Sequence, residues 1–195
     1  MPRLWFVRHG SLPPNPGRLF LGQRDVPLDA AGEAQARFWR DELAPVPFAL
    51  ALASDLARCA ASARIILGQR PVKLVLERDL REICLGSWEG RSRGEVERAE
   101  PGAYARRGQD FANHCPPGGE SFAMLAARVQ GALERWAAPL PDDAQVLVVT
   151  HLGVIRLVAC ACLVLPVQAM FELHLPHACC LCASLEDVRS LTASR

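Results

Sequence analysis

Leu4-Trp5-Phe6-Val7-Arg8-His9-Gly10 decides how this chain is read. Four apolar residues in a row predict a strand buried on both faces. The pattern breaks at Arg8-His9-Gly10, where a cationic fork, an imidazole and a conformationally free glycine meet. In an open α/β sheet, ligands bind outside the carboxyl ends of the strands. Far downstream, Val146-Leu147-Val148-Val149-Thr150 ends the same way, at His151-Leu152-Gly153. Two strand-end histidines are thus expected to face one crevice.

Between these strands the pattern alternates. Ser11 to Leu28 is rich in Pro, Gly and Arg, shows no period, and reads as a long functional loop. Asp29 is placed to cap a helix to about Leu43, with Ala34 and Phe38 on its buried face. Phe48 to Ala53 reads as a second buried strand, ending at Ser54-Asp55, either of which is placed to cap a helix from Leu56 to Leu67. Lys73 to Leu76 is a short third strand, followed by a glycine-punctuated loop from Glu82 to Gly90. Arg91 to Asn113 predicts one or two short surface helices, and Pro116 to Ser121 a turn that caps a helix ending at Trp136. A helix from Val154 to Leu165 follows the Val146 strand, and Phe171–Leu175 with Cys180–Leu185 predict a closing strand pair at the sheet edge. Strand and helix alternating in this way predict an α/β fold: a single three-layer α/β/α domain over residues 1–195 with a mainly parallel central sheet.

The 195 residues suffice to bury a substantial core, and the composition, 50% hydrophobic and 22% charged, is that of a folded globular protein. A net charge of +1 argues against a nucleic-acid surface or a membrane-coating patch. Lys73 is the only lysine, so an anion site here is built from arginine forks that grip phosphate bidentately. The apolar start is short and carries Arg3 and Arg8, unlike a signal peptide. No apolar run reaches the roughly 18 to 20 residues of a membrane span. A cytoplasmic protein is expected, its eight cysteines kept as thiols.

Phosphoryl transfer needs a nucleophile, cationic groups for the equatorial oxygens and an acid for the leaving oxygen. An imidazole attacks phosphorus only when unprotonated, and neighbouring arginines disfavour its protonated form. His9 has Arg8 beside it. Arg58 falls in the first turn of the helix after the second strand, where guanidinium and helix N-terminus both favour an anion. His151 adds a donor. A carboxyl group next to a bound phosphate keeps its proton more readily. Glu82, at the start of the loop beyond the third strand, is the candidate acid, with Glu89 the competitor.

In that order these segments resemble the histidine phosphatase superfamily, the phosphoglycerate-mutase-like clan. Phe6-Val7-Arg8-His9-Gly10 matches its signature, and Asn15, Gly17-Arg18, Gly22-Gln23, Asp25, Pro27-Leu28, Gly32 and Gln35-Ala36 its following loop and helix. Ser54-Asp55-Leu56 with Arg58, Leu80-Arg81-Glu82-Ile83 with Gly86 and Trp88-Glu89-Gly90, Pro116 to Ser121, and Val149 to Arg156 complete the series. The resemblance implies that His9 is phosphorylated, that Arg8, Arg58 and His151 hold the phosphate, and that Glu82 is acid and base. It further implies that Asn15, Gln23 and Leu152 line the phosphate and substrate pocket. The spacing around Trp88 and the Pro-Pro-Gly-Gly-Glu-Ser turn is most similar to the alpha-ribazole phosphatase-like branch, which acts in cobalamin synthesis. Ser11-Leu12 replaces the usual acidic-plus-hydroxyl pair, and Leu152 a common glycine; both bear on substrate choice. The expectation is a phosphomonoesterase acting on a small-molecule phosphate ester, without cofactor or metal, a homodimer being left open. A phosphoglycerate mutase is disfavoured because Trp88 to Pro117 is short for substrate-enclosing insertions, and a non-catalytic phosphate-binding module because nucleophile and acid are both present.

Cys160, Cys162, Cys179, Cys180 and Cys182 with His174 and His177 raise a zinc site. Their spacings, Cys-x-Cys and Cys-Cys-x-Cys, lack the paired Cys-x-x-Cys form, and in a strand Cys180 and Cys182 share a face while Cys179 points away. They read better as small buried hydrophobes.

Overall fold

The structure, a computed structural model, describes residues 1–176 and 179–192. Its strands are β1 (Arg3–Arg8), β2 (Phe48–Ser54), β3 (Leu74–Glu77), β4 (Gln145–Thr150) and β5 (Cys180–Ser184). Its helices are α1 (Ala30–Glu42), α2 (Ala57–Leu67), α3 (Arg93–Ala99), α4 (Ala103–Gln109), α5 (Phe122–Ala137), α6 (Leu152–Cys162) and α7 (Leu185–Arg189). The strands form one sheet in the order β3-β2-β4-β1-β5, parallel except for β5.

The apolar runs become strands because both faces of the sheet are covered. Leu4, Phe6, Leu50, Leu52, Val146 and Val148 pack toward α5, α6 and α7, whereas Val7, Ala51, Ala53, Leu147 and Val149 pack toward α1 and α2. The mainly parallel three-layer architecture predicted from strand–helix alternation is the one observed. No helix among the described residues is long and apolar enough to cross a membrane.

Four local expectations differ. The buried face of α1 carries Gly32 and Ala36, continued by Leu43, whereas Ala34 and Phe38 are exposed. The Asp29 carboxylate, accepting from Gly32 N at 2.6 Å, sets that phase. Neither Ser54 nor Asp55 is the N-cap of α2; Ala57 N donates instead to Asp25 Oδ1 at 2.8 Å, and Asp55 holds Arg81 in a two-pronged pair. Helix α6 begins at Leu152, earlier than expected, and ends at Cys162. Phe171–Leu175 is no strand: residues Val167–Phe171 form a 3₁₀ turn, and the Phe171 ring packs 4.2 Å from that of Phe111. The open edge of β1 is taken by β5 alone, antiparallel.

The loop after β1 passes over the start of α1 with no room for a side chain. A Cβ on Gly10 would lie 2.2 Å from the Gly32 carbonyl oxygen. Gly10→Ala is therefore expected to destabilise the protein by about 1–3 kcal/mol, the range for overpacked sites. Gly131 sits in the middle of α5, and a methyl group there would meet nothing within 4 Å. Gly131→Ala should stabilise by about 0.5–1 kcal/mol. Urea midpoints of both variants check the contrast.

Candidate active site

The parallel pairing of β1 with β4 puts Arg8 opposite Thr150, so His9 and His151 leave the sheet side by side. His9 N donates to the Thr150 carbonyl at 3.0 Å, and the two rings meet edge to face with centroids 5.2 Å apart. Ser54, at the end of β2, and Arg58, on the first turn of α2, arrive from the other flank of β4. Arg8, His9, Arg58, Glu82 and Leu152 border one cavity of about 460 Å³. These are the expected groups, gathered where the strands end.

The hydrogen bonds fix protonation. His9 Nδ1 lies 2.7 Å from the Gly10 carbonyl oxygen. A carbonyl only accepts, so Nδ1 carries a proton, and in the neutral ring the lone pair is on Nε2, the form a nucleophile needs. His151 is fully buried; its Nδ1 accepts from Arg58 Nε at 3.3 Å, which leaves Nε2–H to meet Ser54 Oγ at 2.9 Å. Burial first, then His9 and the surrounding arginines, hold its imidazole well below the ordinary 6.5. Neutral His151 adds no positive charge beside His9.

Arg58, 2% exposed, is immobilised before any anion arrives. Nη1 donates to the Arg24 carbonyl at 2.7 Å and Nη2 to that of Gly22 at 2.9 Å. One N–H on each terminal nitrogen is left for a ligand. Cys59 lies against His151, its Sγ 3.4 Å from Nε2; burial pushes the thiol up and keeps it protonated.

Glu82 stands across the cavity, accepting from Ile83 N at 2.9 Å and from Gly153 N, on the first turn of α6, at 3.2 Å. Glu89 occupies a different place: its Oε1 accepts from Gln23 N and Leu85 N at 2.9 and 3.0 Å, so it staples two loops together. Asn15 borders the cavity, but its side-chain amide closes a turn with Leu19 N and O. Gln23 does not border this cavity; its amide donates to the Glu82 carbonyl at 3.1 Å, supporting that residue's main chain from behind. Ser11 is spent on the loop, its hydroxyl donating to Asp29 Oδ1.

Sequence reasoning missed Arg128 on α5. All five of its N–H donors are used: Nη1 on the carbonyls of Asp79 and Arg81, Nη2 on the Glu82 carbonyl and Glu120 Oε2, and Nε on Glu120 Oε1, all within 2.9 Å. Glu120 Oε2 also accepts from Cys84 N at 2.7 Å. One ion pair, a half-buried Arg128 on a buried Glu120, thereby carries the loop that presents Glu82. The cysteines take no comparable part. Cys160 is buried, and burial pushes the thiols of Cys162 and Cys180 up to about 11 and about 12. Of the others in that cluster, Cys179 is half-buried, Cys182 and His174 are exposed, unlike the buried hydrophobes expected of the cysteines, and His177 lies outside the described residues.

Comparison with known proteins agrees with this geometry. Residues 4–190 match the model of the histidine phosphatase superfamily (branch 1). The chain belongs to the histidine phosphatase superfamily. It is 31% identical over 177 residues to the adenosylcobalamin/alpha-ribazole phosphatase of Salmonella typhimurium, covering 91% of this chain and 87% of that protein. It is 34% identical over 173 residues to the glucosyl-3-phosphoglycerate phosphatase of Mycobacterium tuberculosis, covering 85% and 77%. Among solved structures, the alpha-ribazole phosphatase from Shigella flexneri superposes with a TM-score of 0.81 at 28% identity, over 92% of this chain and 89% of that one. A mycobacterial glucosyl-3-phosphoglycerate phosphatase in complex with VO3 gives 0.79 at 30%, over 93% and 92%.

Two measurements follow from this superfamily site. The unfolded chain accepts a proton on His151 below pH about 6.5, and the folded protein declines it. Its contribution to stability is therefore intact above that pH and falls by up to about 1.4 kcal/mol per unit as pH drops from 6.5. In His151→Gln, urea unfolding between pH 7 and 5 should show a slope shallower by that one proton. Arg128→Met strands the Glu120 carboxylate and should cost about 3–5 kcal/mol, the range for halving a buried pair. Adding Glu120→Met should cost less than the two single losses summed, as a double-mutant cycle measures.

Proposed function

We propose that the protein is a metal-independent phosphomonoesterase that works through a phosphohistidine. The observation that carries this reading is the tautomer of His9: Nδ1 tied to the Gly10 carbonyl, Nε2 basic, with Arg8 and Arg58 bordering the same cavity. Nε2 attacks phosphorus, the P–N bond forms as the P–O bond breaks, and Glu82 delivers its proton to the departing oxygen. Glu82, now a carboxylate, takes a proton from water. The hydroxide so formed displaces His9 and releases inorganic phosphate. Arg8 and Arg58 hold the equatorial oxygens, preorganised donors that meet the developing charge; His151 joins them by turning its Nε2–H from Ser54 Oγ to a phosphate oxygen. The chain itself supplies the positive charge that a metal contributes elsewhere.

The substrate we infer is a small phosphorylated metabolite, with alpha-ribazole 5′-phosphate of cobalamin synthesis the named candidate and the cytoplasm the place of action. Likeness to the Salmonella and Shigella enzymes over nine-tenths of the chain supports it. The mycobacterial relatives, named for another ester, support the reaction class equally.

Brief reaction with labelled ester, quenched in alkali, is expected to leave phosphate on His9 and none in His9→Ala, and EDTA should not change turnover. Glu82→Gln should lower single-turnover phosphorylation by about 10²–10⁴ with an alkyl ester, whose alkoxide needs the proton, and far less with a nitrophenyl ester. If Glu89→Gln shows that dependence and Glu82→Gln does not, the acid is the other glutamate. Activity lost to EDTA and restored by zinc overturns the mechanism.

A further inference from the structure

The cleft continues past Glu82 into a second cavity of about 200 Å³. Glu82, Ile83, Leu85 and Leu152 border both spaces, so the group esterified to a phosphate at His9 has its way into the second one beside the acid. The walls there are rings. Phe20 lies within 30–34° of parallel to Tyr104 and Trp88, and Phe111 and Phe171 lie with centroids 4.2 Å apart. Flat apolar faces of this kind favour a flat apolar guest.

Three polar groups of this lining have one property in common. Trp88 Nε1, Arg107 Nη1 and Arg156 Nε are buried N–H donors with no acceptor among the described residues. Trp88 and Arg107 are 1% and 5% exposed. Arg58 and Arg128, by contrast, spend their N–H groups on carbonyls, a carboxylate and an imidazole, while Arg8 Nε in the adjoining cleft is, like these three, without an acceptor among the described residues. Arg107 instead rests on ring faces, its Cζ 5.7 Å from the Trp88 centroid and 5.6 Å from that of Phe122. Ring faces hold a cation without using its in-plane N–H groups. Unmet buried donors are costly, and three in one lining call for acceptors from a ligand.

We propose that this slot takes a planar leaving group whose edge carries hydrogen-bond acceptors, and that Arg107 is the residue that selects for it. The proposal rests on reading the adjoining cleft as a phosphatase site. The acceptor has two sources, a neutral ring nitrogen or a carboxylate, and the experiment separates them.

The test compares kcat/KM of the wild type and Arg107→Met on phenyl, pyridin-3-yl and 3-carboxyphenyl phosphate. Comparing each ester with itself cancels differences in leaving-group ability, and methionine keeps apolar contact with Trp88 and Phe122. The loss on an acceptor-bearing ester should exceed the loss on phenyl phosphate by about tenfold or more, the worth of a hydrogen bond to a charged group. A selective loss confined to the carboxyphenyl ester assigns an anionic edge; one shared with the pyridyl ester assigns a neutral acceptor. Trp88→Phe, which deletes one N–H and keeps a ring, should give a smaller selective loss and serves should Arg107→Met not fold. Equal losses on all three esters in both variants, or none, overturn the proposal. If wild type leaves phenyl phosphate untouched, the phosphatase reading fails, and calorimetry with 3-hydroxybenzoate decides the slot alone. Binding weakened about tenfold in Arg107→Met supports it; unchanged binding overturns it.

Discussion

The register of β1 against β4 is the constraint on which the site depends. With Arg8 paired to Thr150, the next residue on each strand is a histidine, and the two rings meet. A one-residue slip would turn His151 to the opposite face of the sheet, because side chains alternate along a strand. The slip is resisted by burial on both faces: Leu4, Phe6, Val7, Leu147, Val148 and Val149 are all at most 1% exposed. A polar latch reinforces the rim, as Thr150 Oγ1 donates to the Leu80 carbonyl at 2.8 Å. The strand that ends in His151 is thereby fastened to the segment that leads to Glu82.

Cations converge on the cleft, and Glu82 is the carboxylate that faces them there. Around the cleft stand Arg8, Arg58 and Arg156, with burial lowering the tendency of Arg8 and Arg156 to stay protonated. The carboxylates that pair tightly with arginine, Asp55 with Arg81 and Glu120 with Arg128, do so behind the cleft, where they brace its loops. His151 completes the arrangement by being neutral. Both of its ring nitrogens are engaged, Nδ1 by Arg58 and Nε2–H by Ser54, so its ring is held in one orientation beside His9. Arginine suits such a site better than lysine would. Arg58 meets three protein partners in fixed directions and still has N–H groups to spare, which a three-donor ammonium does not.

What was legible in the sequence follows from the range over which its signals act. Buried strands, their ends, and the positions of His9, Arg58, Glu82 and His151 rest on local runs and ordered motifs, and the fold places these residues together. The phase of α1 was not legible, since Ala34–Phe38 and Gly32–Ala36 both have helical spacing and only the Asp29 cap decides between them. Asp25 as the cap of α2 lies 32 residues from its partner in a loop without period. Arg128 was hidden for the same reason. Its carbonyl partners are 46 to 49 residues away, and no pattern in α5 sets it apart from a solvated helix arginine. The one available signal was Glu120 in the Pro-Pro-Gly-Gly-Glu-Ser turn, eight residues earlier, an acid with no cation near it in the turn itself.

Arg128 grips the main chain that leads to Glu82 and not its carboxylate. It holds the Glu82 segment by main-chain carbonyls and leaves the Glu82 carboxylate to two backbone N–H groups. Binding the backbone fixes the segment while the charge of Arg128 is answered by Glu120. The His9 ring is likewise oriented by a main-chain group, the neutral Gly10 carbonyl. His9 and Glu82 are thus both held by main-chain groups, and the arginine–carboxylate pairs are spent on bracing the loops behind them.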